Sequence, residues 1–167
     1  MDALAALRPV SDAYATLPIA QAFDWAVAGA DLPVGEWYLV AFRSTRRPGA
    51  DEDRLRHYDE MAHHEAEGHP GFVVYFKGPV GSAGSCLSFC MWDSRSHARA
   101  AAGGPAHLEA VSLLDEMYQA YTLEFWRVRR TSPGAALAFE PYDTVPADPR
   151  IEAGPAPLDF AHGALAT

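Results

Sequence analysis

Hydrophobic residues concentrate between positions 36 and 131, where short apolar runs alternate with amphipathic stretches. The first run, residues 36–45, is rich in aromatic and β-branched side chains and follows Gly35, as strands commonly begin. Both of its faces are apolar, so we expect a strand that is buried on two sides. Residues 51–68 start with acidic side chains and then repeat apolar ones at helical spacing, which predicts an amphipathic helix.

The pattern continues with two more apolar runs, residues 72–77 and 85–92, which flank a glycine-containing turn and predict a hairpin. Helical spacing returns between positions 96 and 118, and residues 121–129 form a fourth strand-like run. The order strand, helix, two strands, helix, strand is that of a ferredoxin-like β-α-β-β-α-β unit. We therefore expect an α+β fold, a ferredoxin-like sandwich of one sheet and one helix layer.

The two flanks of this unit follow neither pattern for long. Residues 1–35 contain a short helix-like stretch with Phe23 and Val27, which predicts an N-terminal helical arm. Residues 132–167 contain six prolines and no sustained period, so we expect an irregular C-terminal arm. Its large apolar residues favour an arm lying across the domain or its partner over a solvated tail. The domain itself is expected over 36–131.

The predicted sheet has more apolar surface than its own helices can cover. One face receives those helices, and the opposite face would expose tryptophan, phenylalanine, tyrosine or cysteine side chains from several strands. An exposed apolar surface of that size implies a partner. We expect a symmetric homodimer in which two such faces meet, which is the arrangement of a dimeric α+β barrel.

Composition and charge narrow the function classes. Hydrophobic residues make up 49% and charged residues 21% of the 167 positions, which is typical of one globular domain. No apolar run reaches the ~18 residues of a membrane span, and the first ten residues do not have the pattern of an export signal. The net charge of -9 disfavours nucleic acid as a partner. Cys86 and Cys90, without an export signal, fit a cytoplasmic protein.

Four short segments of the central unit carry a resemblance to a known family. They are Trp37-Tyr38-Leu39-Val40-Ala41-Phe42, His69-Pro70-Gly71-Phe72, Trp92-Asp93-Ser94 and Pro105-Ala106-His107-Leu108. These segments resemble the antibiotic biosynthesis monooxygenase-like family of dimeric α+β barrel proteins, over positions 36 to 130. The resemblance implies the same fold and the same homodimer that the apolar pattern predicts.

The resemblance also implies a range of activities. The family includes cofactor-independent oxygenases that act on polyketide-like phenols, enzymes that degrade heme, and proteins without a known reaction. The heme-degrading branch uses an asparagine of the first strand, a tryptophan of the third and a helical histidine. Trp92 and His107 match the last two, but the sequence contains no asparagine. We therefore expect no cofactor, and heme binding through a histidine stays a separate hypothesis.

His107 is one candidate for acid–base chemistry. It follows Pro105 at a predicted helix start. Backbone N–H groups there lower the pKa of an imidazole and keep it neutral, as a general base must be. The alternative is that His107 only packs or caps the helix.

Glu124 is the second acid–base candidate, on the same strand face as Trp126. Inside an apolar barrel its pKa would rise, and it could take a proton from a phenol or an enol. On a solvated face it would instead be an ion-pair partner of Arg43 or Arg127. The sequence leaves these alternatives open.

Three aromatic residues, Trp92, Tyr75 and Trp126, are candidates for the walls of a flat ligand pocket, although core or interface packing would also explain them. No metal site is expected. His64 and His69 resemble the histidines of a zinc-protease helix only in composition, because they are five residues apart and that motif requires four.

Two function hypotheses follow from these observations. The first is a small-molecule enzyme or binder, monooxygenase-like, that holds an aromatic or polyketide-like compound between sheet and helices. In it, His107 or Glu124 handles protons. The second is a non-catalytic dimer whose C-terminal arm mediates assembly. They differ in whether a ligand-sized space remains beside the sheet.

Overall fold

A computed structural model describes residues 4, 6–30 and 32–142 of the chain, without the side chain of Ala28. These residues form one antiparallel sheet with short and long helices around it. Most of the predicted C-terminal arm lies outside the described residues. No helix of the described part is long and apolar enough to cross a membrane.

The elements follow the predicted order, with additions at both ends. They are, in chain order, a 3-10 turn at Tyr14–Thr16, helices α1 (Ile19–Ala22) and α2 (Trp25–Ala28), strand β1 (Gly35–Arg46), helix α3 (Glu52–Glu67), strands β2 (Phe72–Phe76) and β3 (Ser85–Trp92), helices α4 (Arg95–Ala101), α5 (Pro105–Ser112) and α6 (Leu114–Met117), and strands β4 (Tyr118–Arg130) and β5 (Ala138–Pro141).

The sheet has the strand order β2-β3-β1-β4-β5. Its first four strands have the ferredoxin-like arrangement, in which β1 lies between β3 and β4 and every pair is antiparallel. The predicted α+β fold is therefore confirmed. The fifth strand corrects the prediction of a wholly irregular C-terminal arm, because residues 138–141 pair with β4 despite the prolines around them.

Helices α3 and α4 lie against one face of the sheet, which we call the helix face, and α5 packs beside α3. Asp51 caps α3 by accepting a hydrogen bond from the backbone N–H of Arg54, and Ser94 caps α4 in the same way. Small residues of α3 and α4 pack on the even-numbered side chains of β1, among them Tyr38 and Val40. Alternation along the strand directs its odd-numbered side chains to the opposite face.

Residues 4–32 cover that opposite face, and we call this segment the arm and the face the arm face. Their apolar side chains form one core with those of β1, β3 and β4. The buried members are Leu4, Leu7, Tyr14, Ala15, Ile19, Ala22, Phe23, Trp25 and Leu32 from the arm, and Trp37, Leu39, Ala41, Leu87, Phe89, Met91 and Val128 from the sheet. The arm and the sheet therefore belong to one hydrophobic core.

This packing removes the reason for which a homodimer was expected. The predicted dimer required an apolar sheet face without an intramolecular cover, whereas the arm buries that face completely at Leu39, Leu87 and Phe89. The predicted N-terminal helical arm is present, but the sequence did not indicate that it covers the sheet. Its apolar residues lie in two four-residue helices and connecting turns, which show no sustained period.

Candidate functional site

Strand register divides the predicted site residues between the two faces. Leu39 of β1 lies opposite Trp126, so Trp126 and its neighbour two residues earlier, Glu124, lie on the arm face. Tyr38 lies opposite Trp92, on the helix face, and Tyr75 shares that face through its pairing with Cys90. Trp92, Tyr75 and Trp126 therefore do not line one pocket.

Glu124 forms the ion pair that the sequence offered as one alternative. Its Oε1 accepts a hydrogen bond from Arg43 Nε at 2.8 Å, and its Oε2 accepts one from Trp126 Nε1 at 3.2 Å. The same guanidinium donates to the backbone carbonyls of Ala15 and Leu17 in the arm. With both oxygens engaged, this carboxylate holds in place the Arg43 guanidinium that binds the arm. His107, in the helix layer, is on the other side of the sheet from it.

Trp92 is a buried wall of the helix face, with 3% of its surface exposed. Its Nε1 donates to Cys90 Sγ at 3.0 Å, and its ring meets Phe72 edge-on at 5.3 Å. A ring held this closely by neighbours behaves as core. Of the three aromatic candidates, Tyr75 is the one whose side chain forms a hydrogen bond with a charged residue on the helix face.

The helix-face core is divided into two separate clusters. One is centred on Tyr38, Val40 and Trp92, and the other on Leu55, Leu113 and Met117. The residues packed against the first cluster include the half-buried Phe42, Cys90 and Leu123. A helix layer that packs at its two ends leaves the centre of the sheet less tightly covered.

A hydrogen-bonded group of three side chains lies at the edge of the helix face, where α3 meets the edge strand β2. Tyr75 Oη donates to Asp59 Oδ1 at 2.6 Å, and Lys77 Nζ donates to Asp59 Oδ2 at 2.6 Å. Burial raises the pKa of Tyr75 well above its usual value, and the nearby Asp59 carboxylate raises it further. Tyr75 is therefore a neutral hydrogen-bond donor at physiological pH. The ring of His63 lies 4.9 Å from the Tyr75 ring.

Central residues of the helix face keep accessible surface although they lie beneath the helices. Phe42, Cys90, Tyr121 and Leu123 are half-buried, whereas Leu39 of the neighbouring arm face is fully buried. Burial nevertheless raises the pKa of Cys90 to about 12 and raises that of Tyr121 too. We call this incompletely covered part of the helix face the crevice.

His107 lies where α5 begins against α3. The Glu65 carboxylate accepts hydrogen bonds from the backbone N–H groups of Ala106 and His107, at 3.3 and 3.0 Å, and so caps α5. Gly104 makes this contact possible, because a Cβ there would overlap with the carboxylate. Burial lowers the pKa of His107, and Glu65 partly opposes that shift. A neutral imidazole results, as the sequence predicts, but desolvation is its main cause.

The sequence analysis missed Asp59, Lys77 and Tyr121. A signal for Asp59 exists, because it lies four residues after Leu55 on the inward stripe of an amphipathic helix, where a carboxylate is unusual. Lys77 is the only lysine of the chain. The hydrogen bond between Asp59 and Lys77 spans 18 positions. It depends on how α3 lies relative to β2, which no local sequence pattern predicts.

The histidines of this region do not assemble a metal site. His97 and Asp93 are 2.6 Å apart at the start of α4, and this hydrogen bond lowers the pKa of Asp93. The His69 ring lies 6.4 Å from that of His97. Within residues 4, 6–30 and 32–142, no three histidine, cysteine or acidic side chains are placed to hold a metal ion.

Comparison with known proteins gives a family for this chain. The model of a family described as PB2B2.08-like matches residues 1–140. The UPF0643 protein PB2B2.08 of Schizosaccharomyces pombe is 28% identical over 144 residues, which cover 76% of this chain and 66% of the relative. The chain thus spans just under two thirds of the length of that relative.

Matches to solved structures are more distant. Rv0793 of Mycobacterium tuberculosis matches with a TM-score of 0.48 and 18% identity, over 57% of this chain and 96% of its own. SnoaB, a cofactor-independent oxygenase of Streptomyces nogalater, matches with a TM-score of 0.47 and 16% identity, over 59% of this chain and 98% of SnoaB. A protein of Chloroflexus aurantiacus provisionally described as an antibiotic biosynthesis monooxygenase matches with a TM-score of 0.46 and 18% identity. The match covers 57% of this chain and 94% of that protein. The family that the sequence resembles is thus among these matches.

Proposed function

This chain belongs to the PB2B2.08-like family, and we propose that it binds a small, mainly apolar ring compound in the crevice between its sheet and its helices. In this proposal the protein is a small-molecule enzyme or binder of the monooxygenase-like kind. Tyr75 and His107 are its polar groups, and Glu124 is part of the arm attachment. One chain supplies all of these side chains.

The observation that carries the proposal is the unequal cover of the two sheet faces. Leu39, Leu87, Phe89 and Met91 at the centre of the arm face have no exposed surface, yet Phe42, Cys90 and Tyr121 keep accessible surface on the helix face. Ligand sites combine an apolar lining with a few polar groups that fix the ligand's orientation. Apolar and tyrosine side chains line the crevice, and the Tyr75–Asp59–Lys77 group supplies the polar part.

The chemistry of these groups suits a ligand with an acidic hydroxyl. Tyr75 stays protonated and can accept a second hydrogen bond on its oxygen, because its own proton is donated to Asp59. His107 is neutral near pH 7 and can accept a proton. Loss of a proton from a phenol or an enol gives an electron-rich anion. This anion is the species that reacts with oxygen without a cofactor.

Titration of the purified chain with 1,8-dihydroxyanthrone tests the proposal. We expect saturable binding, followed by oxygen consumption and formation of the corresponding quinone. Tyr75→Phe and His107→Gln should weaken binding or turnover at least tenfold, whereas the matched changes Tyr58→Phe and the highly exposed His64→Gln should leave both unchanged. Binding without oxygen consumption would reduce the function to that of a binder. Absence of saturable binding would contradict the crevice proposal.

A second candidate function is a non-catalytic protein, and a specific observation favours it. The arm fills one sheet face, and Trp92 closes part of the other, so most of the aromatic residues serve as core. Heme binding through a histidine is the remaining alternative, and a heme titration separates it because bound heme gives a Soret band. We also propose a reducing, cytoplasmic setting, since both Cys86 and Cys90 are free.

A further inference from the structure

We infer that the arm takes the place of a second copy of the chain: residues 4–32 close the arm face from within, so that this face does not pair with another subunit. This inference concerns what covers the arm face, and it does not depend on the proposed ligand. It rests on apolar packing, on two arginine contacts, on a tyrosine contact and on the short connection between the arm and β1. The family match begins at residue 1, so it includes the arm.

Apolar packing between arm and sheet is as tight as that of a domain core. Ile19 and Ala22 are fully buried, and Phe23 is 3% exposed. The Phe23 ring lies at the centre of an aromatic cluster, 5.0 Å from Phe76 and 5.6 Å from Phe89 of the sheet. A second copy of the chain cannot reach these sheet side chains while the arm lies on them.

Two arginines of the sheet attach the arm through its backbone. Arg43 of β1 donates to the carbonyls of Ala15 and Leu17, near the middle of the arm. Arg130, at the end of β4, donates to three carbonyls at the arm's end, those of Gly29, Ala30 and Leu32. Charged donors make strong hydrogen bonds to carbonyls, and the geometry of a guanidinium fixes where those carbonyls lie.

Tyr14 attaches the arm at a third place, beside the β2–β3 hairpin. Its Oη donates to the carbonyl of Pro79 at 2.6 Å and accepts a hydrogen bond from the backbone N–H of Leu87 at 3.4 Å. The arm is thus held at both sides of the sheet, by the hairpin at one side and by Arg130 at the other.

The connection between arm and β1 is too short for exchange between two chains. Arg130 lies opposite Gly35, the first residue of β1, and binds the carbonyl of Leu32, three positions earlier. The arm's end is therefore fixed beside the start of its own first strand. An arm that crossed to a second chain would have to break the Arg130 contacts, because two residues separate Leu32 from Gly35.

Photo-cross-linking in a mixture of differently labelled chains tests the inference. Intact chains with p-benzoylphenylalanine in place of the partly buried Leu17 are prepared with nitrogen-14 and with nitrogen-15, then mixed and irradiated. We expect cross-links from the arm to sheet strands in which both peptides carry the same isotope. Peptide pairs of mixed isotope, or a lack of arm-to-sheet cross-links, would overturn the inference.

Sedimentation equilibrium supplies a second readout that does not depend on the cross-linker. We expect the full chain to sediment at its monomer mass of 18.1 kDa from low to high micromolar concentration. The double change Arg43→Met and Arg130→Met should loosen the arm and shift the mass toward a dimer as concentration rises. The exposed pair Arg56→Met and Arg129→Met is the matched control and should stay monomeric. Equal masses for both variants would show that the arginines do not hold the arm.

If the double variant fails to fold, Arg43→Met alone serves the same purpose. Its Glu124 partner then remains beside Trp126, and far-ultraviolet circular dichroism verifies the fold. A single variant with native circular dichroism but no increase in proteolytic cleavage of the arm would contradict the attachment that we infer.

Discussion

The two faces of the central sheet are covered in different ways. On the arm face, irregular backbone with two short helices fully buries the central side chains Leu39, Leu87, Phe89 and Met91. On the helix face, half-buried side chains remain on β1, β3 and β4, among them Phe42, Cys90 and Tyr121. The face with the weaker sequence pattern thus has the tighter packing.

This difference separates stability from function in the molecule. Complete burial of apolar side chains stabilises the fold, and it leaves no room for a ligand. Incomplete cover costs packing energy, and a protein retains it where a ligand or a reaction requires the space. We therefore expect substitutions on the arm face to change the free energy of unfolding, and substitutions on the helix face to change ligand binding.

The largest expected effect is that of Phe23→Ala. The ring contacts four aromatic neighbours in a fully packed core, so its loss should lower the free energy of unfolding by about 3–5 kcal/mol. Leu123→Ala on the helix face should cost less than about 2 kcal/mol, because that side chain is half-buried. Urea unfolding measures both values. Equal costs at the two positions would contradict the contrast between the faces.

Arg130→Met should have the next largest effect. The change leaves three arm carbonyls without their charged donor, which we expect to cost about 3 kcal/mol in the same urea unfolding measurement. Arg129→Met is the neighbouring control. Both side chains of its ion pair with Glu140 are partly exposed, so the pair should contribute about 1 kcal/mol or less to the free energy of unfolding. A larger loss for Arg129→Met than for Arg130→Met would refute the attachment of the arm's end.

Gly71→Ala probes the edge of the helix face at a smaller scale. Gly71 and Gly49 both have φ near +79°, so alanine at either position is strained by roughly 1–2 kcal/mol. A Cβ on Gly71 would also overlap with Asp93 and His97, whereas one on Gly49 meets open space. Thermal unfolding should therefore place the Gly71→Ala variant below Gly49→Ala. Identical melting temperatures would indicate that the Asp93–His97 pair moves aside freely.

The smallest predicted effect concerns the pH dependence of stability. The pKa of His107 is lower in the folded chain than in the unfolded one, where it is about 6.5. Between those two values the unfolded chain binds more protons, so stability falls as the pH drops through this window. His107→Gln should remove that part of the acid-side loss. Glu65→Gln should lower the pKa of His107 further, which nuclear magnetic resonance titration of the imidazole would show.

The sequence predicts the central unit well and its surroundings poorly. Strands and α3 have strong periods, and their order alone implies the ferredoxin-like arrangement that the structure has. The arm has short apolar segments without a period, and the reach of Arg130 to carbonyls about a hundred positions away has no local signature. The expectation of a homodimer rests on an apolar sheet face that the arm covers in the structure.

The candidate site shows the same limit at the level of single residues. Alternation along a strand correctly placed Glu124 with Trp126, but it did not indicate that this face lies under the arm. Residue type alone makes Tyr75 a candidate, whereas its hydrogen-bond partner Asp59 lies on another element. Contacts between elements depend on packing, and packing is a property of the whole chain.

Hydrogen exchange of the backbone amides tests the central claim most directly. Some arm amides form hydrogen bonds within the arm: the N–H of Val10 donates to the carbonyl of Ala22, and the N–H of Asp24 donates to the carbonyl of Arg8. These amides lie beneath or beside a closed core. We predict that arm peptides exchange as slowly as those of β1 and β3, and more slowly than peptides of α3 and α5. Arm peptides that exchange within seconds, while β1 stays protected, would contradict the account.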